Sequence, residues 1–375
     1  MGRRIMIIAG EASGDLHGAG VVRELKSRDA SLDIFGVGGD KMQKEGADLI
    51  YHVREIAVMG FWEVLRHLPI IRSMKHTLTQ LLTLRRPDLV VLIDYPGFNL
   101  RFAPIAKRLG IKVVYYISPQ VWAWHRSRVR TMRGVVDKML VVFPFEQELY
   151  RREGIDATFV GHPLADVLAS TMSRQDFCKR YDLDAGKEIL AIFPGSREQE
   201  IAKMFEELLG AARLIARERN MEIAIGIAPT IPESYFTDYF ALEDVRLIKG
   251  ATYDLMNHAS FALVKSGTGT LETAWFGTPM FVLYKTSWLT YLMGRFLVRT
   301  KHIGLVNIVA GSPVVPEFVQ RRVRRNIIAR KALALLRDPT ALASMRSALS
   351  MVRNKLGNPG AAARVAHHVH EMIKT

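Results

Sequence analysis

Apolar residues recur in short unbroken runs along the first part of the chain: Ile5–Ala9, Ile34–Val37, Leu89–Ile93, Val113–Ile117, Met139–Phe143 and Thr158–Val160. Polar and apolar residues between them alternate at helical spacing. Runs that are apolar on both pleat faces predict a parallel sheet covered by helices on both sides. The pattern lapses around Leu164–Arg174, which reads as a linker. It resumes at Ile189–Phe193, Ile223–Ala228, Val245–Ile248, Phe261–Val264 and Met280–Tyr284. From Pro316 onward the pattern is helical, and Gly357-Asn-Pro-Gly360 sets off the last helix. The prediction is an α/β chain of two successive doubly wound, Rossmann-like domains, residues 1–165 and 175–345, with the helices of 346–375 packing back on the first.

Composition supports this division. The 375 residues exceed what one hydrophobic core usually serves, and 49% hydrophobic against 24% charged residues is a globular balance. A single cysteine, Cys178, can form no internal disulfide, which points to a reducing compartment. The apolar start Ile5–Ala9 meets Glu11 too soon for a signal peptide, and no run approaches the ~18 apolar residues of a membrane span. The net charge of +15 is concentrated. No acidic residue lies between Asp94 and Asp137, or between Glu272 and Glu317. Such one-signed stretches attract polyanions: nucleic acid, anionic lipid or phosphorylated substrates.

Doubly wound domains bind ligands outside the carboxyl ends of their strands, and the unusual polar motifs sit at such ends, which predicts a cleft between facing domains. The motif Ser266-Gly-Thr-Gly-Thr-Leu-Glu272 reads as a strand, a glycine-rich turn and a helix start. Its glycines Gly267 and Gly269 allow close backbone approach, its free amides suit a diphosphate, and Glu272 suits a ribose diol. It is neither a dinucleotide fingerprint nor a P-loop. Gly195-Ser-Arg197 adds amides and a guanidinium, so a nucleoside diphosphate is expected on the second domain. Asp94 closes an apolar strand as a candidate base for an acceptor hydroxyl, with Glu11 and Asp15 as alternatives. Asp15 also suits the N-cap of a helix beginning at Leu16. His17, His125 and His162 have no zinc-like spacing, and Asp182-Leu-Asp184 reads as a solvated turn, so no metal site is expected.

Two segments carry the marks of a membrane surface. Phe61, Val64, Leu65, Leu68, Ile71, Met74, Leu78 and Leu81 recur at helical spacing, Trp62 and Ile70 widen the face, and basic residues flank it. Pro69 is expected to kink or interrupt that helix. The second segment, Trp288–Arg299, includes Leu292 and Phe296. Core packing of ordinary amphipathic helices is the alternative for both; the basic flanks, the Trp and Tyr residues and the width of the apolar face point toward an anionic lipid interface. A nucleic-acid-binding protein is the rival from another class. Its basic residues would interleave with exposed aromatics, whereas here the aromatics sit among aliphatics, so no nucleic-acid partner is expected.

Taken in order, Gly10-Glu-x-Ser-Gly-Asp15, Ala57-Val-Met-Gly60, Asp94-x-Pro-x-Phe-Asn99, Ser118-Pro-x-Val-Trp-Ala-Trp124, Phe159-x-Gly-His162, Pro194-Gly-Ser-Arg197, Ser266-Gly-Thr-x-x-Leu-Glu272 and Asn307-x-x-Ala-Gly311 resemble the lipid-A-disaccharide synthase family over the full chain. The resemblance implies a glycosyltransferase-B fold and a hexosyltransferase of Gram-negative bacteria, peripheral on the inner face of the inner membrane. It implies transfer of 2,3-diacylglucosamine from its UDP derivative to 2,3-diacylglucosamine 1-phosphate, β-1,6 with inversion, without cofactor or metal. Carried over by matching motif, Arg197, Ser266, Thr268 and Glu272 would hold UDP, Asn307 would lie near the donor, and Asp94 would be the base candidate, with the Glu11 loop as the alternative. Other B-type enzymes on UDP-N-acetylglucosamine, a 2-epimerase or a peptidoglycan lipid transferase, are the alternative. A homodimer is compatible with the sequence, which fixes no oligomeric state.

Overall fold

A computed structural model of the chain describes residues 2–56, 61–122, 127–238, 240–288, 291–292 and 300–374, the side chains of 61–68 and 127–128 excepted. The chain divides into two compact units, Met1–Asp166 with Leu356–Thr375, and Val167–Lys355.

The first unit holds seven parallel strands: β1 (Arg4–Ala9), β2 (Asp33–Gly38), β3 (Asp48–His52), β4 (Leu89–Ile93), β5 (Lys112–Tyr116), β6 (Lys138–Val141) and β7 (Ala157–Phe159). Their order across the sheet is β3-β2-β1-β4-β5-β6-β7. Ile5 to Ala9 and Leu89 to Ile93 are wholly buried, as a central parallel strand covered on both faces requires. The second unit holds β8 (Ile189–Phe193), β9 (Glu222–Ile227), β10 (Val245–Lys249), β11 (Phe261–Lys265), β12 (Met280–Tyr284) and β13 (Glu317–Val319), ordered β10-β9-β8-β11-β12-β13, also parallel. In each sheet the order reverses once, between β1 and β4 and between β8 and β11. Successive connections leave in opposite directions there and open a crevice at the strands' carboxyl ends.

Two strands escape the sequence pattern, and both are at sheet edges. β3 is only partly buried, and its three apolar residues are flanked by Asp48 and His52. β13 is three residues long and falls where the pattern from Pro316 reads as helix; the helix proper begins at Arg325. The helix Phe61–Leu84 runs through Pro69 without interruption. Met74, Leu78 and Leu82 on that helix are buried in the core of the first unit. Beyond Pro69 the stripe expected at a membrane surface thus packs the core at Met74 and Leu78, while Ile70 is exposed.

Asp15 also differs from expectation. The first helix spans Ala12–Arg28, so Asp15 lies in its first turn rather than at its cap. Its buried carboxylate instead caps the next helix, Asp40–Lys44. It accepts hydrogen bonds from the amides of Gly39 (2.7 Å), Lys41 (3.2 Å) and Met42 (3.0 Å). The last helix, Ala361–Lys374, packs on Ala12–Arg28 and is tied to the first unit at its start. The Asp166 carboxylate accepts from the amides of Gly360, Ala361 and Ala362. The Arg364 guanidinium donates to the Val160 carbonyl at 2.7 Å.

Removing a carboxylate that satisfies three amides leaves those donors buried and unpaired. Asp15→Ala should therefore lower the stability of the first unit by about 1.5–3 kcal/mol, the scale of hydrogen bonds to charged groups. Urea unfolding followed by a probe in that unit would show it.

Candidate active site

In the first unit the reversal of strand order brings two predicted residues together. The last paired residues of the two central strands are Ala9 and Ile93. Beyond them stand the turns that carry Glu11 and Asp94. Gly10 must lack a side chain, since a Cβ there would lie 2.2 Å from the Tyr95 ring. Asp94 and Tyr95 both adopt left-handed backbone, each with φ of 46°, a conformation costly for side-chain-bearing residues. The surroundings hold it. The Asp94 carbonyl accepts from Tyr115 Oη (2.7 Å) and Asn99 Nδ2 (2.8 Å), and its amide donates to the Tyr116 carbonyl at 3.0 Å.

The Asp94 carboxyl is pushed up to about 6, chiefly by burial and then by the charge of Glu11, against a backbone hydrogen bond from Tyr95 that lowers it. It forms no ion pair with any described residue. The result is a carboxylate whose proton affinity sits near neutrality, a property of general bases.

The Ser118-Pro-x-Val-Trp turn follows β5 and is fixed by a residue the sequence reading passed over. Buried Glu146 accepts from Ser118 Oγ (2.7 Å) and Trp122 Nε1 (3.0 Å) with one oxygen, and from the Phe143 amide (3.1 Å) with the other. Burial pushes its carboxyl up to about 7, against those same hydrogen bonds. Pro144-Phe-Glu146 after an apolar run carries the pattern of a helix start with Glu at its third position, and that was the available clue. His17 and His162, isolated in sequence, lie close enough to interact, and burial holds both neutral, down to about 4 and about 3. Among the described residues no three His, Cys, Asp or Glu side chains converge.

In the second unit both glycine-rich turns flank the point of reversal. Gly195 has φ of +114°, which favours glycine, and Arg197 is the N-cap of the helix Glu198–Arg219. The Arg197 side chain is 70% exposed and, among the described residues, forms an ion pair with Glu200 at 3.5 Å. The Ser196 carbonyl accepts from Thr230 Oγ1 at 2.9 Å, which fixes the turn. On the neighbouring strand Ser266 Oγ donates to the Ile303 carbonyl at 2.8 Å, Gly267 has φ of +155°, and Thr268 caps the short helix Gly269–Trp275. Glu272 makes no hydrogen bond or ion pair with a described residue, and burial pushes its carboxyl up to about 7. A half-buried acceptor without a protein partner is open to a donor on a ligand.

Asn307 is fully buried and committed. Its Nδ2 donates to the Val315 carbonyl and to Glu317, both at 2.8 Å, while its Oδ1 accepts from the Val315 amide at 3.0 Å. Glu317 also accepts from the amides of Ile303 and Gly304, each at 3.0 Å, so the pair holds the turn beside Ser266. Of the expected lipid contacts, Trp288 and Leu292 are exposed at 56% and 52%, and Ile71 is half-buried against the core. The side chains of Phe61, Trp62, Leu65 and Leu68, and Phe296 altogether, lie outside the described residues.

A family model described as lipid-A-disaccharide synthetase matches residues 5–367. The lipid-A-disaccharide synthase of Syntrophus aciditrophicus is 45% identical over 374 residues, covering 99% of this chain and 98% of that protein. Among solved structures, the calicheamicin glycosyltransferase CalG4 superposes with a TM-score of 0.63 at 15% identity, covering 100% of this chain and 98% of that one. The Methanocaldococcus jannaschii UDP-GlcNAc 2-epimerase in complex with UDP-GlcNAc and UDP gives 0.62 at 14% identity, covering 99% and 100%. These two likenesses establish the fold of two parallel-sheet α/β domains and nothing finer. With a family model spanning nearly the whole chain and a relative so similar over its full length, the chain belongs to the lipid-A-disaccharide synthase family of glycosyltransferases.

Proposed function

We propose that the chain transfers 2,3-diacylglucosamine from UDP-2,3-diacylglucosamine to 2,3-diacylglucosamine 1-phosphate, forming the β-1,6 disaccharide 1-phosphate with inversion and releasing UDP. The observation that carries the chemical part is the Asp94–Glu11 carboxylate pair at the reversal of the first sheet. The second unit takes the donor nucleotide: Gly195, Ser196 and Gly267 offer backbone amides to the diphosphate, Arg197 a guanidinium and Thr268 its hydroxyl proton; Ser266, whose hydroxyl donates to the Ile303 carbonyl, offers its oxygen as an acceptor to a donor group of the nucleotide, and Glu272 accepts from the ribose diol. Asn307 serves this site through the turn it holds with Glu317.

In the reaction the acceptor's 6-hydroxyl oxygen bonds to the donor's anomeric carbon, and its proton passes to the Asp94 carboxylate. The bond from that carbon to the diphosphate oxygen breaks, and the electron pair leaves with UDP. Burial, with the charge of Glu11 added, keeps Asp94 basic enough to take the proton while leaving it ionised above about pH 6. Charge growing on the leaving diphosphate is met by fixed amides and cations, an electrostatic role. The acyl chains explain exposed Trp288 and Leu292, since each buried methylene contributes roughly 0.8 kcal/mol. We place the chain on the inner face of the inner membrane on those grounds; no helix among the described residues is long and apolar enough to cross a membrane. Turnover of the diacylated donor, set against UDP-N-acetylglucosamine, tests this reading. Preference for the N-acetylated sugar, or its epimerisation, would favour the alternative activity of the fold.

Asp94→Asn should keep donor binding but slow turnover by about 10²–10⁴. In the unaltered enzyme the turnover number should fall as pH drops through about 6, because protonation removes the base. A pH–rate profile reads both. Glu272→Ala should weaken UDP binding by roughly 1.5–3 kcal/mol, the range for charged hydrogen bonds. In the unaltered protein affinity should rise as pH increases through about 7 and the Glu272 carboxyl ionises, an effect calorimetry can measure. Trp288→Ser with Leu292→Ser should leave the fold intact, both residues being exposed, and reduce co-sedimentation with anionic vesicles. The residual binding should be salt-sensitive, at roughly 1 kcal/mol per basic residue near the surface.

A further inference from the structure

Lys265 is the last residue of β11 and directly precedes Ser266. Nothing in the sequence motifs marks it. The last registered pair between β11 and its neighbour is Val264 with Phe193, so Lys265 emerges beside the Pro194-Gly195 turn. Its aliphatic stem lies under that turn: a Cβ on Gly195 would stand 3.3 Å from Lys265 Cδ and 3.5 Å from Cγ. Its ammonium reaches toward the other turn, 4.0 Å from where a Cβ on Gly267 would be. The side chain therefore bridges the two glycine turns on either side of the strand-order reversal. Only 16% of it is exposed, so its position is set by packing.

One carboxylate faces both cations of this region. Glu200 Oε2 lies 2.7 Å from Lys265 Nζ, and Oε1 lies 3.5 Å from Arg197 Nη1. The closer contact is poorly aligned, for Glu200 Oε2 has no hydrogen bond of normal geometry. A half-buried pair with such geometry recovers little of what it lost on leaving water. It is easily exchanged for a better-placed anion. Two cations against one carboxylate also leave one positive charge uncompensated at the mouth of both turns.

We propose that Lys265 is a second cationic contact for the donor's diphosphate, and that Glu200 holds Lys265 and Arg197 in place until the diphosphate takes them over. The inference rests on the nucleotide reading of this site. When the glycosidic bond to the diphosphate breaks, negative charge grows on its terminal oxygens. Arg197 is 70% exposed and meets that charge from a solvated side chain, whereas Lys265 meets it from a position fixed by the sheet.

The test is calorimetric titration of the full-length protein with UDP and with uridine. Lys265→Met, which keeps the stem against Gly195 but removes the charge, should lower UDP affinity by roughly ten- to a hundredfold and leave uridine affinity unchanged. Lys265→Arg should restore much of the UDP affinity. Glu200→Gln, which releases both cations, should tighten UDP. The Lys265→Met enzyme should lose more in kcat than in donor KM, because charge on the diphosphate is greatest after bond cleavage begins. Unchanged UDP affinity in Lys265→Met, or equal losses for UDP and uridine, would overturn the inference while leaving the nucleotide site standing. Failure of the unaltered protein to bind UDP would overturn the nucleotide reading and this inference with it.

Discussion

The single reversal of strand order in each parallel sheet is the constraint on which the molecule's chemistry depends. A strand buried on both faces has no free edge on which to build a site. Its side chains are spent on packing, and its backbone groups on its neighbours. Functional groups can then stand only where the chain leaves the sheet. At most carboxyl ends the following helix covers the exit. Between β1 and β4, and between β8 and β11, the chain leaves in opposite directions and the exits stay open. The carboxylate pair occupies one of these places, and the two glycine turns with their cations occupy the other.

Each opening is held by groups that make no claim on a ligand. The left-handed backbone of Asp94 and Tyr95 persists because Tyr115, Asn99 and Tyr116 engage the Asp94 peptide groups from the neighbouring strand and helix. Glu146 fixes the turn after β5. Asn307 and Glu317 fix the turn that receives Ser266. Asp94 and Glu272, by contrast, are half-buried carboxyls that no cation among the described residues engages. Burial raises both toward neutrality, where a proton can be accepted or a ribose hydroxyl recognised.

How much of this could be read in the sequence follows from where each residue finds its partner. Central strands were legible because burial on both faces writes an unbroken apolar run, as in Leu89–Ile93 and Phe261–Val264. β3 and β13 were not, because an edge strand is half solvated and three residues carry no period. Glycine turns and Asp94 were legible because they interrupt such runs with residues that a strand rejects. Asp15, Glu146 and Lys265 were misassigned or passed over because their partners lie on other elements. Asp15 meets the amides of Gly39 to Met42, Glu146 meets Ser118 and Trp122, and Lys265 meets Glu200. Pro69 was expected to break a helix that continues through it, since Met74, Leu78 and Leu82 fasten the following turns to the core.

The central claim is a division of labour: the second unit binds the nucleotide, and the first supplies the base. Hydrogen exchange of backbone amides with and without saturating UDP tests it most directly, since it reports on every turn at once. The account predicts that UDP slows exchange in Gly195–Glu200 and Ser266–Glu272, and leaves Gly10–Asp15 and Asp94–Asn99 unchanged. Protection of the Gly10–Asp15 and Asp94–Asn99 turns, with none in the second unit, would contradict it.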